Sequence, residues 1–256
     1  MLAAERHLKI IEIISETGSA QVEQLSKTLD VSPMTIRRDL EKLQESNIIE
    51  RCHGGAIMKQ EINYFEKRDI QHQEKIEIAR KSASYVKKGD SIFLDAGTTT
   101  YEIANLIKNV EDLTVITNDI EIASLLKNSE VELLVCGGTM QKSTGGMYGY
   151  FANQMMDNIR LNIGFFGAMS IDENYNVLTP TMDKVSFKRL VLNNCMRSYL
   201  VVDDSKFYRK ALLKINNFKD YTGIITNKIF TNKESNEFNK LGIRLITVTD
   251  SNQAKS

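Results

Sequence analysis

Only two prolines interrupt this 256-residue chain, which excludes a Pro-rich disordered or extended character. Its three cysteines, Cys52, Cys136 and Cys195, are odd in number and far apart, so neither a disulfide framework nor a zinc pattern is present. Cys52 stands beside His53 but has no second pair nearby, and no metal site is expected. Net charge is missing too: 33 Lys+Arg balance 33 Asp+Glu, and residues 1–60 hold eight basic against nine acidic side chains. No basic block announces a polyanion, so any nucleic-acid surface must come from where charges are placed. No apolar run approaches the roughly 20 residues needed to span a bilayer, and Met1-Leu2-Ala3-Ala4-Glu5-Arg6-His7 has no signal-peptide character. A soluble, cytoplasmic protein with no membrane partner and no cofactor is expected. What remains is an ordinary globular composition, 42% hydrophobic and 26% charged, with length for one large or two modest domains.

The most informative stretch is Ser32-Pro33-Met34-Thr35-Ile36-Arg37-Arg38-Asp39-Leu40. Ser32 suits a helix N-cap, and Pro33 fits the first turn, where its missing N–H costs nothing. Ile36, Leu40 and Leu43 form one apolar stripe, leaving Thr35, Arg37, Arg38 and Lys42 on the other faces. Upstream, residues 4–16 carry Leu8, Ile11 and Ile14 on one helical face, widened by Ile10 and Ile13. Val22, Leu25 and Leu29 mark a second helix over 20–28, and Asp30-Val31-Ser32 turns into the third. Helix, turn, helix at this spacing is a DNA-reading arrangement. Residues 48–58 read as two short strands about Gly54-Gly55, a wing on which Arg51, His53 and Lys59 face phosphate. The plain alternative for Arg37 and Arg38 is a solvated helix face with Asp39 and Glu41 as surface partners. Three helices and a wing favour DNA.

Residues 1–58 therefore form a winged helix-turn-helix domain, 59–75 a polar linker, and 76–256 a second domain. Within the last, Ile76, Ile78, Ala79, Ala83 and Val86 mark an amphipathic helix that ends at Lys87-Lys88-Gly89. Apolar runs at 91–94, 114–116, 132–135, 163–166, 199–202, 223–225 and 243–247 then alternate with helical stretches. That alternation predicts an α/β fold: an open, mostly parallel sheet built from βα units.

Ligands of such sheets gather beyond the carboxyl ends of the strands, so the residues just past each run carry the signal. Asp95-Ala96-Gly97-Thr98-Thr99-Thr100 enters a helix, a setting that suits a phosphate. Thr117-Asn118-Asp119, Cys136-Gly137-Gly138-Thr139, Gly167 to Asp172, and Asp203-Asp204-Ser205-Lys206 sit after later strands. Plain turns do not require this polarity. A pocket for a phosphorylated, hydroxyl-rich small molecule is expected.

Both halves resemble the DeoR family of bacterial repressors. The first half does so over residues 5–57 through Val31 to Leu40 and Glu50-Arg51-Cys52-His53-Gly54-Gly55-Ala56. The second does so through Asp95 to Thr99, Ile116-Thr117-Asn118, Gly137-Gly138, Phe166-Gly167-Ala168, Ile171-Asp172 and Asp203 to Phe207. The resemblance implies that Thr35, Arg37 and Arg38 face DNA, and Ser32, Lys42, Arg51 and His53 complete the expected DNA-facing set. It also implies a sensor similar in fold to ribose-5-phosphate isomerase, with Gly97, Thr98, Thr99 and Thr100 on the phosphate and Asp203 and Lys206 toward the sugar. Asp95, Thr117, Asn118, Gly137, Gly138 and Asp172 complete the expected effector set, and Lys67, Arg68 and Lys75 hold the basic positions ahead of the sensor. Isomerisation needs a carboxylate base. Where the isomerase has an aspartate after Gly-Ala, this chain has Met169, and its 178–185 segment lacks the isomerase's glutamate, with Lys184 near that place and Asp183 the nearest carboxylate. The expectation is a regulator rather than an enzyme: a repressor on double-stranded operator DNA, a dimer or tetramer, released by a sugar phosphate. A ligand-blind DNA-binding protein that dimerises through its second domain is the alternative.

Overall fold

The computed structural model describes residues 2–17, 19–45, 49–52, 54–58, 68–209 and 211–248. Two compact units divide the chain near residue 61. In the first, helices α1 (Ala3–Thr17), α2 (Val22–Leu29) and α3 (Pro33–Glu45) enclose a core of Ile10, Ile14, Leu25, Ile36, Leu40, Leu43 and Ile49. Strands β1 (Ser19–Gln21), β2 (Ile49–Cys52) and β3 (Gly55–Met58) form an antiparallel wing in the order β1-β3-β2.

Two sequence expectations change here. The second helix starts at Val22, not residue 20, because Ser19, Ala20 and Gln21 pair with Ile57, Ala56 and Gly55 while Ala20 points into the core. Gly55 permits that pairing: a Cβ there would run into the Ala20 carbonyl. Leu8, placed in the apolar stripe of α1 by periodicity, is exposed. The inward face is instead set by Arg6, Ile10 and Ile14, spaced four residues apart, because Arg6 turns toward α3. His53, Lys59 and Lys67 lie outside the described residues.

The second unit starts with α4 (His72–Ala83), inside the span read as linker, and buries Lys75, Ile78, Ala79 and Ser82 on one stripe. Strands β4 (Ser91–Leu94), β5 (Thr114–Thr117), β6 (Glu132–Val135), the β7 (Thr139–Gln141) and β8 (Gly146–Tyr148) hairpin, and β9 (Leu161–Phe166) come after it. Next come β10 (Ser170–Ile171), β11 (Asn176–Thr179), β12 (Cys195–Val201), β13 (Leu213–Asn217), β14 (Gly223–Thr226) and β15 (Leu245–Thr247). The main sheet runs β15-β14-β12-β9-β4-β5-β6 with every neighbouring pair parallel; β10, β11 and β13 make a separate antiparallel sheet.

Alternation along the strands splits the core into two layers. Ile92, Leu94, Val115, Ile163 and Tyr199 meet α4, α5 (Thr98–Ile107) and α6 (Ile120–Leu126) on one face. Phe93, Ile116, Phe166, Leu200 and Ile224 meet α7 (Tyr150–Asp157), α8 (Met182–Asn193) and α9 (Asn232–Lys240) on the other. The chain enters at β4, runs to β6 at one edge, then resumes with β9 on the far side of β4. Strand order therefore reverses between β4 and β9, where open sheets leave a crevice for ligand.

Candidate functional site

Ser32 and Pro33 start α3 as their chemistry dictates. The Ser32 hydroxyl accepts from the Thr35 N–H at 3.2 Å and lies 2.9 Å from the Thr35 hydroxyl, so both side chains hold the cap. Asp30 supplies the preceding turn in the left-handed region, φ 51°, which aspartate tolerates. Arg37, Arg38 and Lys42 are exposed, and the two arginines make no ion pair among the described residues. Asp39 is not the surface partner expected of it. It is buried, accepting from Arg6 through Nε (2.6 Å) and Nη2 (3.0 Å), with His7 Nε2 at 2.9 Å. Burial pushes its carboxyl up, but the bonds from Arg6 and His7 outweigh that and hold it below its usual value. The acid is thus withdrawn from the arginine-bearing face and fastens α3 to α1. Arg51, on β2, pairs with Glu41 of α3 at 3.1 Å in the open.

In the second unit the strand ends meet at the reversal. The Ala96 N–H donates to Asn118 Oδ1 (3.0 Å) and the Gly97 N–H to Asp119 Oδ2 (2.9 Å), so the β4 and β5 loops are laced together. The Thr117 hydroxyl donates to the Leu94 carbonyl (2.8 Å), and Asp119 Oδ1 caps α6 through the N–H groups of Glu121 and Ile122. Burial pushes the Asp119 carboxyl up to about 6, with those backbone donors pulling the other way. Because the N–H groups of 96 and 97 are engaged, an anion at this turn meets the N–H groups of Thr98, Thr99 and Thr100, which open α5 and have no intrahelical partner. The Thr100 hydroxyl is held between the carbonyls of Asp95 (2.6 Å) and Gly97 (2.8 Å), leaving Thr98 and Thr99 at the helix mouth.

Asp95 itself is fully buried. Its Oδ2 accepts from Gly167 N–H at 3.0 Å and from Lys188 Nζ at 2.6 Å, while Oδ1 has no hydrogen-bond partner. At the end of β12, Asp203 accepts from the Ser205 N–H at 3.0 Å and from its hydroxyl; Oδ2 is buried without a hydrogen bond, 3.8 Å from Lys206 Nζ. Gly137 and Gly138 follow β6 after Cys136, exposed, with Gly138 packed beneath the Tyr148 carbonyl. Asp172 is not brought in: its oxygens accept from the backbone of Asn174 and Asn176 and the Asn176 amide, which fixes the turn between β10 and β11. Arg68 stacks on Tyr101, 4.4 Å from the ring centre, and lies 3.4 Å from Glu102, while buried Lys75 donates to the Ile70 carbonyl at 2.6 Å.

Lys188 is the residue that sequence reasoning missed. It and Lys184 stand four apart and buried on α8 among Val185, Phe187 and Val191, and a lysine pair inside an apolar stripe was the available signal.

Comparison with known proteins agrees with this two-part layout. The DeoR-like helix-turn-helix domain matches residues 6–61, and the DeoR C-terminal sensor domain matches residues 70–228. The glycerol-3-phosphate regulon repressor of Escherichia coli K12 is 33% identical over 230 residues, covering 88% of this chain and 91% of that protein. The HTH-type transcriptional regulator GlpR of Haloferax volcanii is 30% identical over 251 residues, 96% of this chain and 98% of its own. Among solved structures, ribose 5-phosphate isomerase A from Methanocaldococcus jannaschii gives a TM-score of 0.39 at 20% identity over 54% of this chain and 55% of its own, a partial likeness on which no assignment rests. Among the described residues no helix is long and apolar enough to cross a membrane. A winged helix-turn-helix joined to a matching sensor, at a third identity over most of its length, makes this chain a member of the DeoR family of DNA-binding transcriptional regulators, not an enzyme.

Proposed function

We propose that the chain represses genes of sugar uptake or breakdown and leaves its operator when a phosphorylated sugar fills the crevice at β4 and β9. The carrying observation is the α5 mouth, where free N–H groups and the hydroxyls of Thr98 and Thr99 come three residues after Asp95, a buried carboxylate with one oxygen lacking a donor. Phosphate suits the first and a sugar hydroxyl the second. Asp203 and Lys206 extend the polar rim along the strand ends.

On the DNA side, Arg37, Arg38 and Lys42 with Arg51 present cations to one half-site. Specific affinity normally joins two such readers, so the working species is a dimer or tetramer. The effector acts by binding the DNA-free state better than the bound one. Operator binding to the gene's own upstream DNA, measured by anisotropy with and without sugar phosphates, tests this. Release by at least one sugar phosphate is expected, and unchanged affinity with all of them sinks the allosteric half. Arg37→Ala weakens binding and lowers the salt slope by about one if it grips phosphate, whereas lost sequence preference marks a base reader.

A further inference from the structure

Strand alternation puts Phe93 and Asp95 on the face of the sheet that α8 covers, and there Asp95 directly follows β4 at the reversal point with no exposed surface. Its Oδ2 is doubly engaged by Gly167 N–H and Lys188 Nζ. Lys188 also donates to the Gly167 carbonyl at 2.8 Å, so the ammonium has a fixed seat and the carboxylate cannot swing away from it. Oδ1 has no partner, although buried carboxylate oxygens in folded proteins ordinarily find donors. A pair that served only to pin α8 to the sheet would not need an acceptor left without a donor just past β4, at the point where the strand order reverses and ligands of open sheets gather.

We propose that Asp95 Oδ1 accepts a hydrogen bond from a hydroxyl of the effector, with Lys188 as the positioning residue that balances its charge and fixes its orientation. This deepens the sensor reading and rests on it. It sets the ligand class: a phosphate ester of a neutral polyol is accepted, and a phosphorylated carboxylic acid of similar length is refused. The acid's carboxylate has no proton to donate to Asp95 and meets a like charge in a buried site.

The test uses the full-length chain and calorimetric titration with glycerol 3-phosphate, fructose 1-phosphate, glucose 6-phosphate, 3-phosphoglycerate and inorganic phosphate. At least one polyol ester is expected to bind ~10-fold or more tightly than 3-phosphoglycerate, the scale of a hydrogen bond to a charged group. In Asp95→Asn the amide oxygen stays on Gly167 and Lys188, and the amide nitrogen replaces Oδ1, turning an acceptor into a donor. Polyol-ester affinity then falls ~10-fold to ~100-fold and the preference over 3-phosphoglycerate collapses, while inorganic phosphate is unaffected. Lys188→Met erodes the same ratio, a readout that lost stability alone does not move. If Asp95→Asn does not fold, the Asp95→Asn, Lys188→Met double variant, which removes both buried charges, is read the same way. Wild type binding 3-phosphoglycerate as tightly as the polyol esters, or an unchanged ratio in the variants, overturns the proposal. Failure of every ester to bind wild type overturns the sensor reading beneath it.

Discussion

The two sites handle charge in opposite ways. On α3 the cations stand in water, and of the two acids between Arg38 and Lys42 one, Asp39, is folded inward onto Arg6 and His7 while Glu41 stays exposed beside Arg51. At the sheet, acids lie within the candidate site: Asp95, Asp119 and Asp203 are buried at strand ends and balanced by Lys188, by backbone N–H groups or by Lys206. The difference comes from the partner. Duplex phosphates are spread along a surface and release counterions, so exposed side chains suffice. A small effector must be told from near relatives, which takes desolvated donors and acceptors fixed in advance. Removing a charge from the reader face should change binding and little else, whereas removing a buried one from the strand ends should change stability first.

The largest expected effect tests that contrast directly. Lys188→Met leaves Asp95 buried with only the Gly167 N–H, and an orphaned buried charge costs about 3–5 kcal/mol. Asp39→Ala removes a buried acid from the first unit, but Arg6 and His7 keep 11% and 12% side-chain exposure and reach water, so about 2 kcal/mol is expected. Hydrogen exchange separates the two, with protection falling around β4, β9 and α8 in the first variant and around α1 and α3 in the second. A smaller loss for Lys188→Met than for Asp39→Ala breaks the contrast.

Acid sharpens it, because the two units respond with opposite sign. Asp39 is held below its usual value, so its contribution is present above about pH 4 and is lost as pH falls through the folded value. Asp119 is raised from 3.8 to about 6, chiefly by burial. Between those values the folded chain keeps a proton that the unfolded chain releases, so stability falls as pH rises, by about 3 kcal/mol in all, and is flat above 6. Exchange protection near α6 should therefore rise on acidification from pH 7 to 5, and Asp119→Asn should flatten that rise. A wild-type profile as flat as the variant's shows that the carboxyl titrates as if exposed.

What the sequence made legible was local. Ser32, Pro33 and the Ile36, Leu40, Leu43 stripe mark α3 without reference to anything distant. The parallel strands were legible because strands buried on both faces read as apolar runs. Strand β1 was hidden because its three residues owe their shape to β3, far along the chain. Asp39 falls at i+3 from Ile36, on the buried stripe, a position that argued against a surface partner. Lys188 carried the same kind of signal, a charge among Val185, Phe187 and Val191, but its meaning depends on Asp95, which the loop pattern singled out without showing a partner on α8. The strand-end loops were found by position; which of their groups remain open, as at Thr98 and Thr99, and which serve the loop itself, as at Thr100 and Asp172, required the hydrogen bonds.

The smallest effect belongs to the pair that shares both patterns. Arg51 and Glu41 meet at 3.1 Å with 34% and 58% side-chain exposure, so the bridge contributes well under about 1 kcal/mol to stability. Its consequence lies in binding. If Arg51 reaches a phosphate it must first leave Glu41, and the carboxylate it leaves then faces the duplex. Glu41→Gln should thus tighten operator binding a few-fold at ~50 mM salt, with stability moving by less than about 0.5 kcal/mol, and the gain should fade at high salt as screening takes over. Arg51→Ala should lower the salt slope by about one and abolish the effect of Glu41→Gln in the double variant. If Glu41→Gln weakens binding instead, the bridge serves to hold the wing against α3, and Arg51 belongs with Asp39 among the groups that shape the reader, not with Arg37 and Arg38 among those proposed to touch DNA.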